Sequence, residues 1–154
     1  MNYQCELIDR PAQATLSVRG RMPVQALSLF FARAFGAIAQ YLGELGQHPV
    51  GPPYSAYYNT DMQDLDVEAG FPVARPLPGR GDIQAGHLPG GQAASCLHIG
   101  PYDQIAPAYE ALAQFVQAQG RTPSGMVYEL YLNDPAQTPP QQLQTQIVLP
   151  LQPV

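Results

Sequence analysis

The chain passes twice through one plan of elements, and this repetition constrains its fold more than any other feature of its 154 residues. Residues 3–9 and 13–19 alternate apolar and polar side chains as strands do, and they join near Arg10-Pro11. A helix is expected over about 23–45, where Leu27, Phe31, Ala34, Ile38 and Tyr41 recur at helical spacing and Gly46 caps the end. Strands follow near 53–59 and 65–73. The plan then restarts with strands at 83–88 and 92–99, separated by the turn Pro89-Gly90-Gly91. A second helix over 103–119 carries Ile105, Tyr109, Leu112 and Val116 on one stripe, with Gly120 as its cap, and strands at 126–133 and 143–151 close the chain. Arg19-Gly20 lies over Ile99-Gly100, Tyr57-Tyr58-Asn59 over Tyr131-Leu132-Asn133, and Phe71-Pro72-Val73 over Leu149-Pro150-Leu151. The offsets drift by a few residues, as unequal loops would produce; chance agreement of turn residues is the alternative.

The expected fold is therefore α+β: tandem duplicated βαββ units with pseudo-two-fold symmetry, antiparallel sheets and two main helices. One domain covers 1–154, with half one at 1–75 and half two at 82–154, linked by the Pro/Gly-rich stretch 74–81. Residues 135–142 form a polar loop that proline keeps irregular. Two such units side by side are expected to leave a central groove, a common setting for a small-molecule site.

Within this plan the strand at 126–134 carries the chemistry. Alternation places Val127, Glu129 and Tyr131 on one face and Tyr128, Leu130 and Leu132 on the other. An ionised carboxylate on a dry face must find a partner or take up a proton. Either a cationic ligand supplies that partner, or an internal ion pair does, with Arg19, Arg21 or Arg33 as candidates. The repeat sets Tyr57 opposite Tyr131 and Ser55 opposite Glu129, so Tyr57, Tyr131 and Ser55 are expected to face the groove while Ala56, Tyr58, Tyr128 and Leu130 face the helices. Glu68 either shares the groove or is a solvated strand-edge acid. Tyr102, after Gly100-Pro101, either hangs over the groove mouth or packs a turn. Met62 and Met126 supply adaptable surface or plain packing.

Composition excludes several classes. Only 12% of residues are charged, the formal net charge is -5, and all seven basic residues are arginines with no basic cluster, so a nucleic-acid backbone finds little to grip. Cys5 and Cys96 make no disulfide framework, and the scattered His48, His87 and His98 make no metal pattern. No serine sits in a nucleophile elbow and no glycine-rich turn has the context of a phosphate loop. No metal or cofactor is expected. The start of the sequence has neither a charged leader nor an apolar run of signal length, and a cytoplasmic location is expected.

The segments Leu88-Pro89-Gly90-Gly91, His98-Ile99-Gly100-Pro101-Tyr102 and Tyr128-Glu129-Leu130-Tyr131-Leu132-Asn133-Asp134-Pro135 resemble the GyrI-like small-molecule-binding family. Pro52-Pro53-Tyr54 and Glu68-Ala69-Gly70-Phe71-Pro72-Val73 share its habits, so the resemblance covers almost the whole chain. It implies a tandem βαββ architecture with a central ligand groove, in which Glu129 faces bound organic cations. Family members in multidrug-responsive regulators carry a DNA-binding helical domain before this region. Here the sequence starts at the first strand, so a stand-alone member without direct nucleic-acid binding is expected. The function implied is capture of lipophilic or aromatic cations, with Glu129, Tyr131, Tyr57, Ser55, Glu68, Tyr102 and Val127 as ligand-binding residues. A second possibility is hydrolysis of reactive cyclopropane-bearing compounds, with Glu129 as general base and Tyr57 or Tyr131 as hydrogen-bond donor. A third is a protein-binding, gyrase-inhibitor-like modulator. The oligomeric state stays open.

Overall fold

The structure is a computed structural model and describes residues 3–154. Its elements are β1 (Cys5–Arg10), β2 (Gln13–Met22), α1 (Leu27–Glu44), β3 (Tyr54–Tyr57), β4 (Leu65–Pro72), β5 (Gln84–Leu88), β6 (Gly91–Ile99), α2 (Ala106–Ala118), β7 (Val127–Tyr131) and β8 (Gln144–Pro150). The fold is α+β with antiparallel ladders and two main helices, as the periodicities imply.

Two compact units form. One runs from Ala12 to Pro89; the other joins the residues up to Pro11 with Gly90–Val154. In the first, the strands lie in the order β3-β4-β2-β5, and in the second β1-β6-β8-β7. This division differs from halves drawn at 1–75 and 82–154. β1 pairs with β6, setting Cys5 opposite Cys96, whereas β5 pairs with β2, setting His87 opposite Ala14. Each unit thus takes its outer strand from the far side of a turn that sequence alone reads as local. Alternation fixes which side chains share a face, but it does not say which neighbour a strand bonds to.

Each helix covers one face of its own sheet. In the Ala12–Pro89 unit, Ile38, Tyr41 and Leu42 of α1 pack on Leu16, Val73, Leu77 and Ile83. In the other, Ala108, Leu112 and Val116 of α2 pack on Ala94, Cys96, Ile147 and Leu151. The units repeat their local devices. A 3-10 turn after Pro23 leads into α1, and one after Pro101 leads into α2. Both helices end alike, because a glycine at positive φ lets the chain fold back onto the last carbonyls. At α1, Gly46 (φ 67°) and Gln47 donate N–H bonds to Gly43 O and Leu42 O. At α2, Gly120 (φ 67°) and Arg121 donate to Gln117 O and Val116 O. The strand-to-strand loops are clamped by matching asparagines. Asn59 donates to Asp64 O at 3.0 Å and accepts from Asp66 N at 2.9 Å. Asn133 donates to Gln142 O at 3.0 Å and accepts from Gln144 N at 2.9 Å.

Among the described residues, Val24–Glu44 is the one helical stretch long and apolar enough to cross a membrane by length and composition. Its inner side chains are spent on the core instead.

Candidate functional site

Glu129 sits at the centre of β7, directly opposite Ile147 of β8, which in turn faces Cys96 of β6. Residues opposite one another in a ladder share a sheet face. Cys96 donates to the α2 carbonyl of Ala108, and Val127 packs into the α2 cluster. The face bearing Val127, Glu129 and Tyr131 is therefore the helix-covered one. The same holds in the other unit. Tyr57 lies opposite Val67, and Ser55 opposite Ala69, in line with Gly20 and Val18 of β2 on the α1 side. Alternation groups these residues as expected but points them the other way, since Ala56, Tyr58, Tyr128 and Leu130 were expected beneath the helices. Both faces of β7 are apolar enough to be buried, so its pattern alone does not choose which one the helix covers.

The acid is closed in by hydroxyls. Tyr109, projecting from the second turn of α2, donates a short hydrogen bond to Glu129 Oε2, and Tyr131 donates to Oε1 at 3.0 Å. Tyr102 sets its ring edge against Tyr131, with centroids 5.6 Å apart at 71°. The alternative ion pair does not form. Arg19 grips Asp66 through two bonds of 2.8 Å, Arg21 bonds Asp64 at 2.9 Å, and among the described residues Arg33 pairs with no carboxylate and Glu129 with no cation. Glu129 is only 8% exposed. Burial raises its pKa, against the opposing pull of the Tyr109 and Tyr131 hydroxyls and the nearby His98.

Two further polar groups share this face one ladder step away. Thr145 stands opposite both Tyr131 and His98. Its hydroxyl is fully buried and has no hydrogen-bond partner among the described residues. His98 is held between the Tyr3 hydroxyl, 3.1 Å from Nδ1, and the Pro101 carbonyl, 2.9 Å from Nε2. The carbonyl makes Nε2 the protonated nitrogen, which leaves Nδ1 to accept from Tyr3.

Glu68 departs from both expectations. It is buried, on the β4 face turned away from α1, and accepts from Tyr54 through a short bond and from Tyr58 at 2.6 Å. The Arg19 guanidinium lies 3.9 Å from the Tyr58 ring centroid and caps that hydroxyl cluster. Burial and the Glu68 carboxylate push the Tyr54 and Tyr58 hydroxyls upward in pKa, so both stay protonated donors. Ser55 is fully buried and Tyr57 half-buried in that unit. Glu129, Tyr131, Val127 and Tyr102 come together in the other. Met62 is exposed and Met126 half-buried. Sequence reasoning missed Tyr109 as a site residue because it lies on the α2 stripe with Leu112 and Val116 and reads as core. Among the described residues, no group of three or more His, Cys, Asp or Glu is placed to hold a metal ion.

The profile of the GyrI-like small molecule binding domain matches residues 3–152. The chain belongs to the GyrI-like small-molecule-binding family. Solved structures share this GyrI-like fold. The EcmrR C-terminal domain aligns with a TM-score of 0.87 at 24% identity, covering 100% of both chains. EcmrR in its complex with DNA aligns with a TM-score of 0.86 at 23% identity; the match covers 99% of this chain but 58% of EcmrR. A hydrolase from Listeria innocua gives 0.67 at 17% identity, over 97% of this chain and 92% of that one. SAV2435 bound to tetraphenylphosphonium gives 0.64 at 12% identity, over 99% and 94%. At these identities the likeness is one of fold. No functionally curated protein matches the GyrI-like chain in sequence.

Proposed function

We propose that this GyrI-like domain binds lipophilic, aromatic organic cations, with Glu129 as the charge partner. The observation that carries the reading is a buried carboxylate whose partners are tyrosine hydroxyls and not a cation of the protein. Such an acid is poised to exchange a proton or a weak donor for a permanent positive charge. Tyr131 and Tyr102 add ring faces, and a cation over a tyrosine ring gains about 0.5–2 kcal/mol. Val127 supplies apolar wall on the same face, and the unpartnered Thr145 hydroxyl offers one further polar contact. The tetraphenylphosphonium held by SAV2435 is a cation of this class. Close pairing of a cation with Oε2 requires the Tyr109 hydroxyl to leave Glu129, because its hydrogen bond occupies that oxygen and the acid is only 8% exposed. One charge pair and a few rings set few geometric demands, so a broad ligand range is expected.

Titration with tetraphenylphosphonium, followed by calorimetry, tests the reading. Glu129→Gln should weaken binding ten-fold or more, about 1.4 kcal/mol. Since only the ionised acid attracts a cation, affinity in the native chain should rise as pH climbs through the raised pKa of Glu129, and the variant should lose this dependence. Equal affinity in the two proteins would remove the acid from the site.

The raised proton affinity of Glu129 also favours a second reading, a hydrolase acting on strained cyclopropane-bearing compounds. There the carboxylate would take a proton from water while a tyrosine hydroxyl donates to the developing anion. Excess compound left intact after long incubation would dismiss this reading and leave the binding one standing.

A further inference from the structure

The Ala12–Pro89 unit holds a cleft of about 600 Å³ between α1, β2 and the turn at 80–83. Phe30, Arg33, Ala34 and Ala37 line one wall, at the spacing of a single helix face, and Val18 and Ile83 are among the residues opposite. None of these residues belongs to the Glu129 cluster. The walls are mostly hydrocarbon, and three charged groups reach them: Arg33, Arg80 and Asp82.

Their charges are not equally available. Arg80 is committed, because its guanidinium bonds Glu44 at 2.6 Å and 3.4 Å and lies 4.4 Å from the Tyr41 ring centroid. Arg33 and Asp82 form no ion pair among the described residues, not even with each other. Asp82 has a short side chain and sits on the exposed turn that Gly81 makes at φ 59°. Arg33 is different in kind. Its long apolar stem lies along the same wall as Phe30 and Ala37, while its planar fork stays free to pair with a carboxylate through two parallel hydrogen bonds. With Arg80 held by Glu44, the lining leaves, among the described residues, one free guanidinium, on the apolar wall, and one free carboxylate, on the turn.

We propose that this cleft is a second binding site, which takes lipophilic carboxylates: the carboxylate pairs with Arg33, and the hydrocarbon lies against Phe30, Ala37, Val18 and Ile83. Its volume falls in the range of drug-sized ligand sites. The site has the opposite charge preference to that proposed at Glu129 and does not depend on it. Asp82 works against an anion here and sets the sign of the test.

The probes are anthracene carboxylate, its methyl ester and the matching anthracenylmethylammonium ion, each titrated into the full chain and followed by fluorescence anisotropy. The carboxylate should bind about ten-fold more tightly than the ester. Arg33→Gln should abolish that difference, Asp82→Asn should strengthen carboxylate binding, and Glu129→Gln should leave it unchanged. Ala37→Phe, which fills the cleft from an exposed helical position, should block the carboxylate while leaving thermal stability near that of the native chain. The proposal is overturned if, in the Glu129→Gln chain, the ammonium ion binds more tightly than the carboxylate, if Arg33→Gln has no effect, if Glu129→Gln abolishes carboxylate binding, or if no carboxylate binding is detected.

Discussion

At the scale of a single residue, Glu129 couples binding to stability. Burial raises its pKa, so the folded chain holds this proton more tightly than the unfolded chain does. Between the ordinary glutamate value and the raised one, the native state therefore binds more protons, and its stability falls as pH rises through that window. Glu129→Gln removes this contribution. In paired melts, the variant should gain on the native chain in Tm as the buffer moves from acid towards neutral, even though its amide no longer accepts from both Tyr109 and Tyr131. Tyr109→Phe takes away a donor that favours the ionised acid, and the pH-dependent loss should then extend to higher pH. A Tm difference between native and Glu129→Gln protein that stays constant across this range would mean that the acid titrates as it does in the unfolded chain. Glu129 itself was legible in the sequence, as an acid placed by alternation among apolar neighbours. Its partner was not, since a tyrosine on a helical stripe looks the same whether its ring fills the core or its hydroxyl reaches an acid.

At the scale of elements, the helices were legible and the strand partners were not. Apolar spacing and a terminal glycine mark α1 and α2 because both signals are local. The pairing of β1 with β6 depends on contacts far apart in sequence, for which neither Pro11 nor the Pro89-Gly90-Gly91 turn gives a signal. Close approach between β2 and β4 also left its trace only as a glycine. A Cβ on Gly70 would lie 2.5 Å from the Leu16 carbonyl oxygen, 2.8 Å from the Tyr54 hydroxyl and 2.9 Å from the Ser17 Cβ. The carbonyl belongs to the ladder and cannot yield, and the hydroxyl is the one that serves Glu68. Gly70→Ala should therefore cost about 1–3 kcal/mol in urea unfolding. Gly36 is the contrast: it lies within α1 with nothing within 4 Å of an added Cβ, and Gly36→Ala should stabilise by about 0.5–1 kcal/mol. Equal effects of the two substitutions would contradict the β2–β4 packing described.

At the scale of the whole molecule, the pairing of β1 with β6 gives the N-terminal strand a structural task. β1 covers the free edge of β6 along its length, from Cys5 opposite Cys96 to Arg10 opposite Gly91. β6 has β8 on its other side, so removing β1 leaves a row of unpaired backbone groups beside the strand. The two cysteines in this ladder are buried or half-buried, and burial is the main cause raising both thiols, Cys96 to about 12, so they remain packing groups and do not form a ready covalent staple. Hydrogen bonding and burial alone therefore hold β1 in place. A chain lacking residues 1–11 should lose amide protection along β6, at Ala93 and Ser95 above all, and should associate through the exposed edge in size-exclusion runs at rising concentration. The Ala12–Pro89 unit takes its own outer strand, β5, from inside its boundaries, so β2 amides should keep their protection in the same truncated chain. Uniform loss of protection in both units would show instead that they fold as one cooperative body, with β1 essential to all of it.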